Sequence, residues 1–163
     1  KPTAVPIPTV PPAVTTPTES AAPDVTATTA PEPAAEPSGG SGAGASIDIG
    51  TDGDALKFST EALSAETGSQ VTVNFNNGSS VNQHNWVLVQ NGTKDAVATD
   101  GTAAGPGAAW VKPGDERVIV SSGLLNPGGS EAVTFTAPAA GTYQFVCTFP
   151  GHNFTMFGDF TVN

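Results

Sequence analysis

The hydrophobic pattern divides the chain into two unlike parts. Up to about Ala45 no periodicity is present: Val and Ile are the only sizeable apolar side chains, scattered among Pro, Ala, Thr and Ser, and the stretch closes on Ser38-Gly39-Gly40-Ser41-Gly42-Ala43-Gly44. From Ser46 onward, short apolar runs alternate with turn residues, the spacing of an antiparallel sandwich or barrel rather than of helices. In Val71-Thr72-Val73-Asn74-Phe75 apolar and polar positions alternate strictly, as a half-buried strand requires when successive side chains point to opposite faces. Trp86-Val87-Leu88-Val89 is apolar on both faces and predicts a central strand. Together with these, residues 46–49, 55–58, 117–121, 131–136, 142–148 and 157–162 predict about eight strands, an all-β sandwich. The stretch 91–114 is rich in Ala, Gly and Asp, with 93–99 able to make a helical turn or two; it reads as an insertion over one side.

Composition sharpens this division. Pro and Gly contribute 15 and 19 of the 163 residues, and the prolines crowd into the first quarter, which leaves material for one modest folded domain over 46–163. Residues 1–45 cannot bury enough apolar surface to fold and read as a disordered tether, stiffened by its prolines and ending in a Gly-Ser swivel. Lys and Arg number 5 against 15 Asp and Glu, a formal charge of −10 that repels phosphate backbones and anionic lipid surfaces. Nucleic acid is therefore not an expected partner, whereas a basic protein surface is. No apolar run is long enough to span a bilayer, and the N-terminus lacks a charged region followed by an apolar one. Membrane association is expected only through the tether or an anchor upstream of it.

The single Cys, the single Met and one of the two His residues fall within ten positions, Cys147-Thr148-Phe149-Pro150-Gly151-His152-Asn153-Phe154-Thr155-Met156. Taken singly, Cys147 reads equally as a buried structural thiol, a reactive thiol or a metal ligand, and Met156 as core filler. Taken together, a thiolate, an imidazole and a thioether select copper among biological metals, and His₂Cys with a weak axial Met is the donor set of a one-electron copper site. The second imidazole is His84, just before the central strand. Strand period places Tyr143, Phe145 and Cys147 on one face, with the sulfur ending a core-facing row, and Pro150-Gly151 turns the chain back toward it. A shared metal would then lie between strands at one pole of the sandwich.

The segment from Cys147 to Met156, with four residues between Cys and His and three between His and Met, resembles the copper loop of the azurin and auracyanin branch of the cupredoxins, the type 1 blue copper proteins. His84-Asn85-Trp86-Val87-Leu88-Val89 and Gly141-Thr142-Tyr143 add to the likeness, which is greatest to the auracyanins and covers residues 46–163. The resemblance implies a Greek-key sandwich holding one copper ion, with His84, Cys147 and His152 as strong ligands and Met156 as a long axial one. It further implies that Asn85 ties the two ligand segments together near Thr148, and that backbone amides donate to the Cys147 sulfur. Where azurin has a Gly before the first His this chain has Gln83, and the azurin disulfide is absent because there is no second Cys.

As function, the resemblance implies one-electron transfer, copper cycling between Cu(I) and Cu(II), in a bacterial photosynthetic or respiratory chain. It implies an exported protein, in the periplasm or on the outer face of the cytoplasmic membrane, and redox partners such as a c-type cytochrome or a membrane electron-transfer complex. Phe149, Pro150, Phe154 and Phe157 surround His152 in sequence and are candidates for an apolar docking patch, two of the four expected to be exposed. No catalytic activity is expected. A copper oxidase or nitrite reductase domain would need further His clusters, and a thiol hydrolase would need an accessible Cys. A copper-binding carrier module with no electron-transfer role stands as the alternative.

Overall fold

The computed structural model describes residues 44–163. The 1–45 tether therefore lies almost wholly outside the described residues. The chain runs β1 (Ala45–Gly50), β2 (Ala62–Ala65), β3 (Gln70–Asn76), β4 (Val87–Gln90), α1 (Lys94–Ala104), β5 (Val118–Ser121), β6 (Ser130–Thr136), β7 (Gly141–Val146) and β8 (Phe157–Val162). The strands form two sheets, a three-stranded one in the order β1-β3-β6 and a five-stranded one in the order β2-β8-β7-β4-β5. No helix among the described residues is long and apolar enough to cross a membrane.

Alternation does what the sequence demanded of it. Val71, Val73 and Phe75 are fully buried while the residues between them face outward, each such side chain contributing about 1.5–3 kcal/mol by leaving water. Between the sheets they meet Phe58, Trp86, Leu88, Phe145, Cys147, Met156 and Phe160 in the principal core. β4 is an inner strand rather than the middle one, lying between β7, the middle strand, and β5 at the edge. It buries both faces, Leu88 and the preceding Trp86 lying in the principal core and Val87 and Val89 in a second apolar layer. That second layer is completed by Val97 of α1, so the insertion does lie over one side, on the outer face of the five-stranded sheet. β8 passes between neighbours so closely that a Cβ on Gly158 would collide with the Phe145 ring and the Glu61 carbonyl.

Three expectations are corrected. Residues 55–58 form turns rather than a strand. Only Phe58 bridges back to Thr51, because its ring alone enters the core while Ala55 and Lys57 face solvent. The strand that the pattern missed is β2, pairing in parallel with the chain's last strand; its Ala62-Leu63-Ser64-Ala65 is too weakly apolar to show. The helical turn or two at 93–99 is an 11-residue helix, stabilised by burial of Val97 against the sheet and by burial of Ala98 and Gly101 rather than by intrinsic propensity.

Candidate metal centre

His84 reaches the site from a segment fixed by an antiparallel bridge to Leu125: its N–H donates to the Leu125 carbonyl (3.1 Å) and its own carbonyl accepts the Leu125 N–H (2.8 Å). Cys147 comes one residue after β7 ends. The connection to β8 turns at Gly151, whose positive φ of 83° suits glycine, and continues as a short 3-10 turn over His152–Phe154. Met156 precedes β8 and closes the connection, its carbonyl accepting the Cys147 N–H (3.0 Å) and its N–H donating to the His152 carbonyl (2.8 Å). Cys147, His84 and Met156 have no exposed surface, and His152 keeps 6%.

These elements bring three donor atoms together. Cys147 Sγ lies 3.7 Å from His84 Nδ1 and 3.6 Å from His152 Nδ1, and the two ring nitrogens are 3.2 Å apart. A point equidistant from atoms so separated is about 2 Å from each, within the range of metal–nitrogen and metal–sulfur bonds of about 2.0–2.3 Å. Among the described residues no other grouping of three or more His, Cys, Asp or Glu side chains converges in this way.

The charge state of the group suits a cation. Desolvation holds the His84 imidazole down to about 4, with the neighbouring His152 adding to the effect, and His152 is lowered by burial as well. Both rings are thus neutral at pH 7 and keep a lone pair for a metal. Burial pushes the Cys147 thiol up to about 11, although the backbone N–H groups of Asn85 and Phe149 pull in the opposite direction by donating to the sulfur. A thiolate in this pocket needs a positive charge beside it, and those two amides are already aimed at it. The donor set, two imidazoles and one thiolate in a dry pocket, fits copper.

Around the three donors Asn85 is the link between segments. The Asn85 side chain donates to Thr148 Oγ1 (2.8 Å) and accepts the Thr148 N–H (2.8 Å), joining the segment after His84 to the segment after Cys147. Its second amide proton goes to the Ala109 carbonyl (2.9 Å), a partner that sequence reasoning missed. Ala109 and Trp110 both have positive φ, 52° and 59°, and nothing in the local sequence announces it. The Trp86 N–H is accepted by Ser122 Oγ (2.9 Å), again from a distant segment.

The candidate docking residues divide. Phe154 is 73% exposed, whereas Phe149, Pro150 and Phe157 are half-buried, so one of the four rather than two stands free. The reason is packing: Phe149 is wedged between the Trp110 and His152 rings, and Phe157 lies in the layer beneath α1. Phe154 projects from the 3-10 turn and is the most exposed of the four.

Residues 45–163 match the family model for copper binding proteins of the plastocyanin/azurin family. Auracyanin-A of Chloroflexus aurantiacus is 44% identical over 119 residues, 72% of this chain and 74% of that protein. An azurin of Pseudomonas chlororaphis is 36% identical over 113 residues, 64% of this chain and 88% of its own length. Among solved structures, auracyanin A, described as a "blue" copper protein from the same bacterium, superposes with a TM-score of 0.71 at 42% identity, covering 74% of this chain and all of the other. Dithionite-reduced auracyanin from Roseiflexus castenholzii gives the same TM-score at 39% identity, over 75% of this chain and 99% of that one.

Proposed function

The chain belongs to the plastocyanin/azurin family of copper-binding proteins, and from that premise we propose that it carries single electrons on one copper ion, which the converging donors of His84, Cys147 and His152 would hold with Met156 as a weaker fourth ligand. The observation that carries this reading is the triangle of buried donors, formed by side chains 63 and 68 residues apart in sequence and already at ligating separation. Copper supplies a centre that is stable both as Cu(I) and as Cu(II) in such a donor set.

The rest of the mechanism belongs to the chain. Strand pairing at His84, the β7–β8 connection and the Asn85 hydrogen bonds hold the donors in one interlinked frame, so little atomic rearrangement accompanies a change of charge. Burial of three of the four side chains excludes water from the thiolate. His152 alone keeps an exposed edge, at the pole where Phe154 projects, and we assign electron entry and exit to that edge. The exposed Phe154 ring is a point of brief contact for a redox partner such as a c-type cytochrome or a membrane electron-transfer complex, and the acidic character of the chain favours a partner of basic charge. We place the protein outside the cytoplasm, in a bacterial photosynthetic or respiratory chain, with residues 1–45 as a tether to an anchor.

An optical spectrum tests the reading. The copper-loaded chain should be intensely blue, bleach on reduction and recover on oxidation, and Cys147→Ser should abolish the colour because a hydroxyl is a far poorer ligand than a thiolate. A Cys147→Ser protein that stays blue would sink the assignment. A copper-binding module without an electron-transfer role would hold copper without bleaching and recovering its colour reversibly.

A further inference from the structure

Lys94 is the least exposed of the four cations among the described residues: its side chain is 15% exposed, against 30% for Arg117 and more than half for Lys57 and Lys112. An ammonium withdrawn from water needs compensation, and Lys94 finds it at the metal centre's flank. Its Nζ lies 2.8 Å from Asp95 Oδ1 and 3.3 Å from the Asn153 carbonyl, and stands 4.2 Å over the centre of the Phe157 ring. The Asn153 carboxamide in turn donates to the same Asp95 oxygen (2.8 Å).

The places where these contacts fall matter. Asn153 directly follows His152 and Phe157 directly follows Met156, so one ammonium and its carboxylate grip the loop just beyond each of two proposed ligands. The grip has a firm base, since Val97 of α1 is fully buried in the apolar layer on the five-stranded sheet. On the other flank the loop is held by a single side-chain bond, Thr155 Oγ1 to the Leu56 carbonyl (3.0 Å).

We propose that Lys94, acting with Asp95, is a positioning residue that fixes the loop from Asn153 to Phe157 and thereby keeps His152 and Met156 in place when the site gains or loses an electron. The hold on the loop is a property of the chain without metal; only its consequence for electron transfer rests on the carrier reading above. The insertion 91–114 then serves as a brace for the ligand loop as well as a cover for the sheet.

The test uses the full chain with Lys94→Met/Asp95→Asn, which removes both charges together and leaves the net charge unchanged. In the metal-free protein, amide protons of residues 153–157 should exchange roughly tenfold faster, the effect of losing about one charge-assisted hydrogen bond, while those of β3 and β6 keep their rates. In the copper-loaded protein the electron paramagnetic resonance lines should broaden and electron self-exchange should slow severalfold. Lys94→Arg, which keeps the charge and its reach, should restore both. Asp95→Ala, at a largely exposed position, should show the same loosening at smaller amplitude should the double variant fold poorly. Loop amides exchanging at the parental rate overturn the proposal, as does a loosened loop with unchanged resonance and self-exchange. A parental chain that never turns blue defeats the carrier reading instead, and leaves the metal-free measurement standing.

Discussion

Replacing Asn85 by Ala removes one fully buried side chain and three hydrogen bonds, to Thr148 Oγ1, the Thr148 N–H and the Ala109 carbonyl. The Thr148 N–H is the costly loss: Thr148 has no exposed surface, and a buried donor left without an acceptor costs about 1–3 kcal/mol. Losing the other two bonds adds roughly 0.5–1.5 kcal/mol each, partly recovered by any water that fills the vacated space. The expected destabilisation is about 3 kcal/mol. At a urea slope of about 1.5 kcal/mol/M this moves the unfolding midpoint of the metal-free protein down by about 2 M with the slope unchanged. The copper-loaded protein should suffer further, because Thr148 adjoins Cys147, and loss of a group supporting a metal ligand weakens metal affinity by about 10–100-fold. A midpoint shift below about 0.3 M at constant slope would refute the reasoning, since it would mean that water replaces Asn85 at little cost.

Other predictions concern separate parts of the molecule. If Met156 is the axial ligand, Met156→Leu keeps copper and colour but raises the reduction potential, and Met156→Gln shifts it the other way; voltammetry giving the parental value for both would make Met156 core filler. Asp115 is held down to about 2 from 3.8, first by the hydrogen bond from Arg117. It therefore contributes stability that is fully present above pH 3.8 and is lost as the pH falls through about 2, and Asp115→Asn should flatten the fall in melting temperature across that window. Deleting residues 1–45 should leave copper binding and melting temperature nearly unchanged, because so Pro- and Gly-rich a segment buries little apolar surface; calorimetry showing a large drop would mean that it packs on the domain.

What was legible in the sequence was what repeats or coincides. The strict alternation in β3 and the double-sided apolar run of β4 fixed a period and a position in the sheet, and the crowding of Cys147, His152 and Met156 into ten residues located one pole of the site. What stayed hidden depends on partners far along the chain. β2 is a strand because β8 pairs with it, not because Ala62-Leu63-Ser64-Ala65 demands it. α1 extends beyond the expected turn to Ala104 because Gly101 packs closely against the distant Trp110 carbonyl, while Val97 finds a sheet beneath it. The Ala109 carbonyl and the Lys94 ammonium reach the site through tertiary packing, and no local motif encodes either. The exposed share of the aromatic patch was overestimated for the same reason, since Trp110, 39 residues before Phe149, is what covers it.

The join between β7 and β8 has an evolutionary consequence. The ladder between these strands runs without interruption to the pair Val146–Phe157, and one further hydrogen bond, from the Cys147 N–H to the Met156 carbonyl, seals the mouth of the hairpin. Everything between those two residues is therefore an exchangeable module whose two ends are set by the frame and not by its own length. Insertions or deletions between Thr148 and Thr155 are expected to leave the β7–β8 register unchanged, because the ladder is closed outside them. A lineage can thus retune how His152 meets solvent and partner by changing a handful of codons, while the sandwich that supplies Cys147 and His84 is inherited intact.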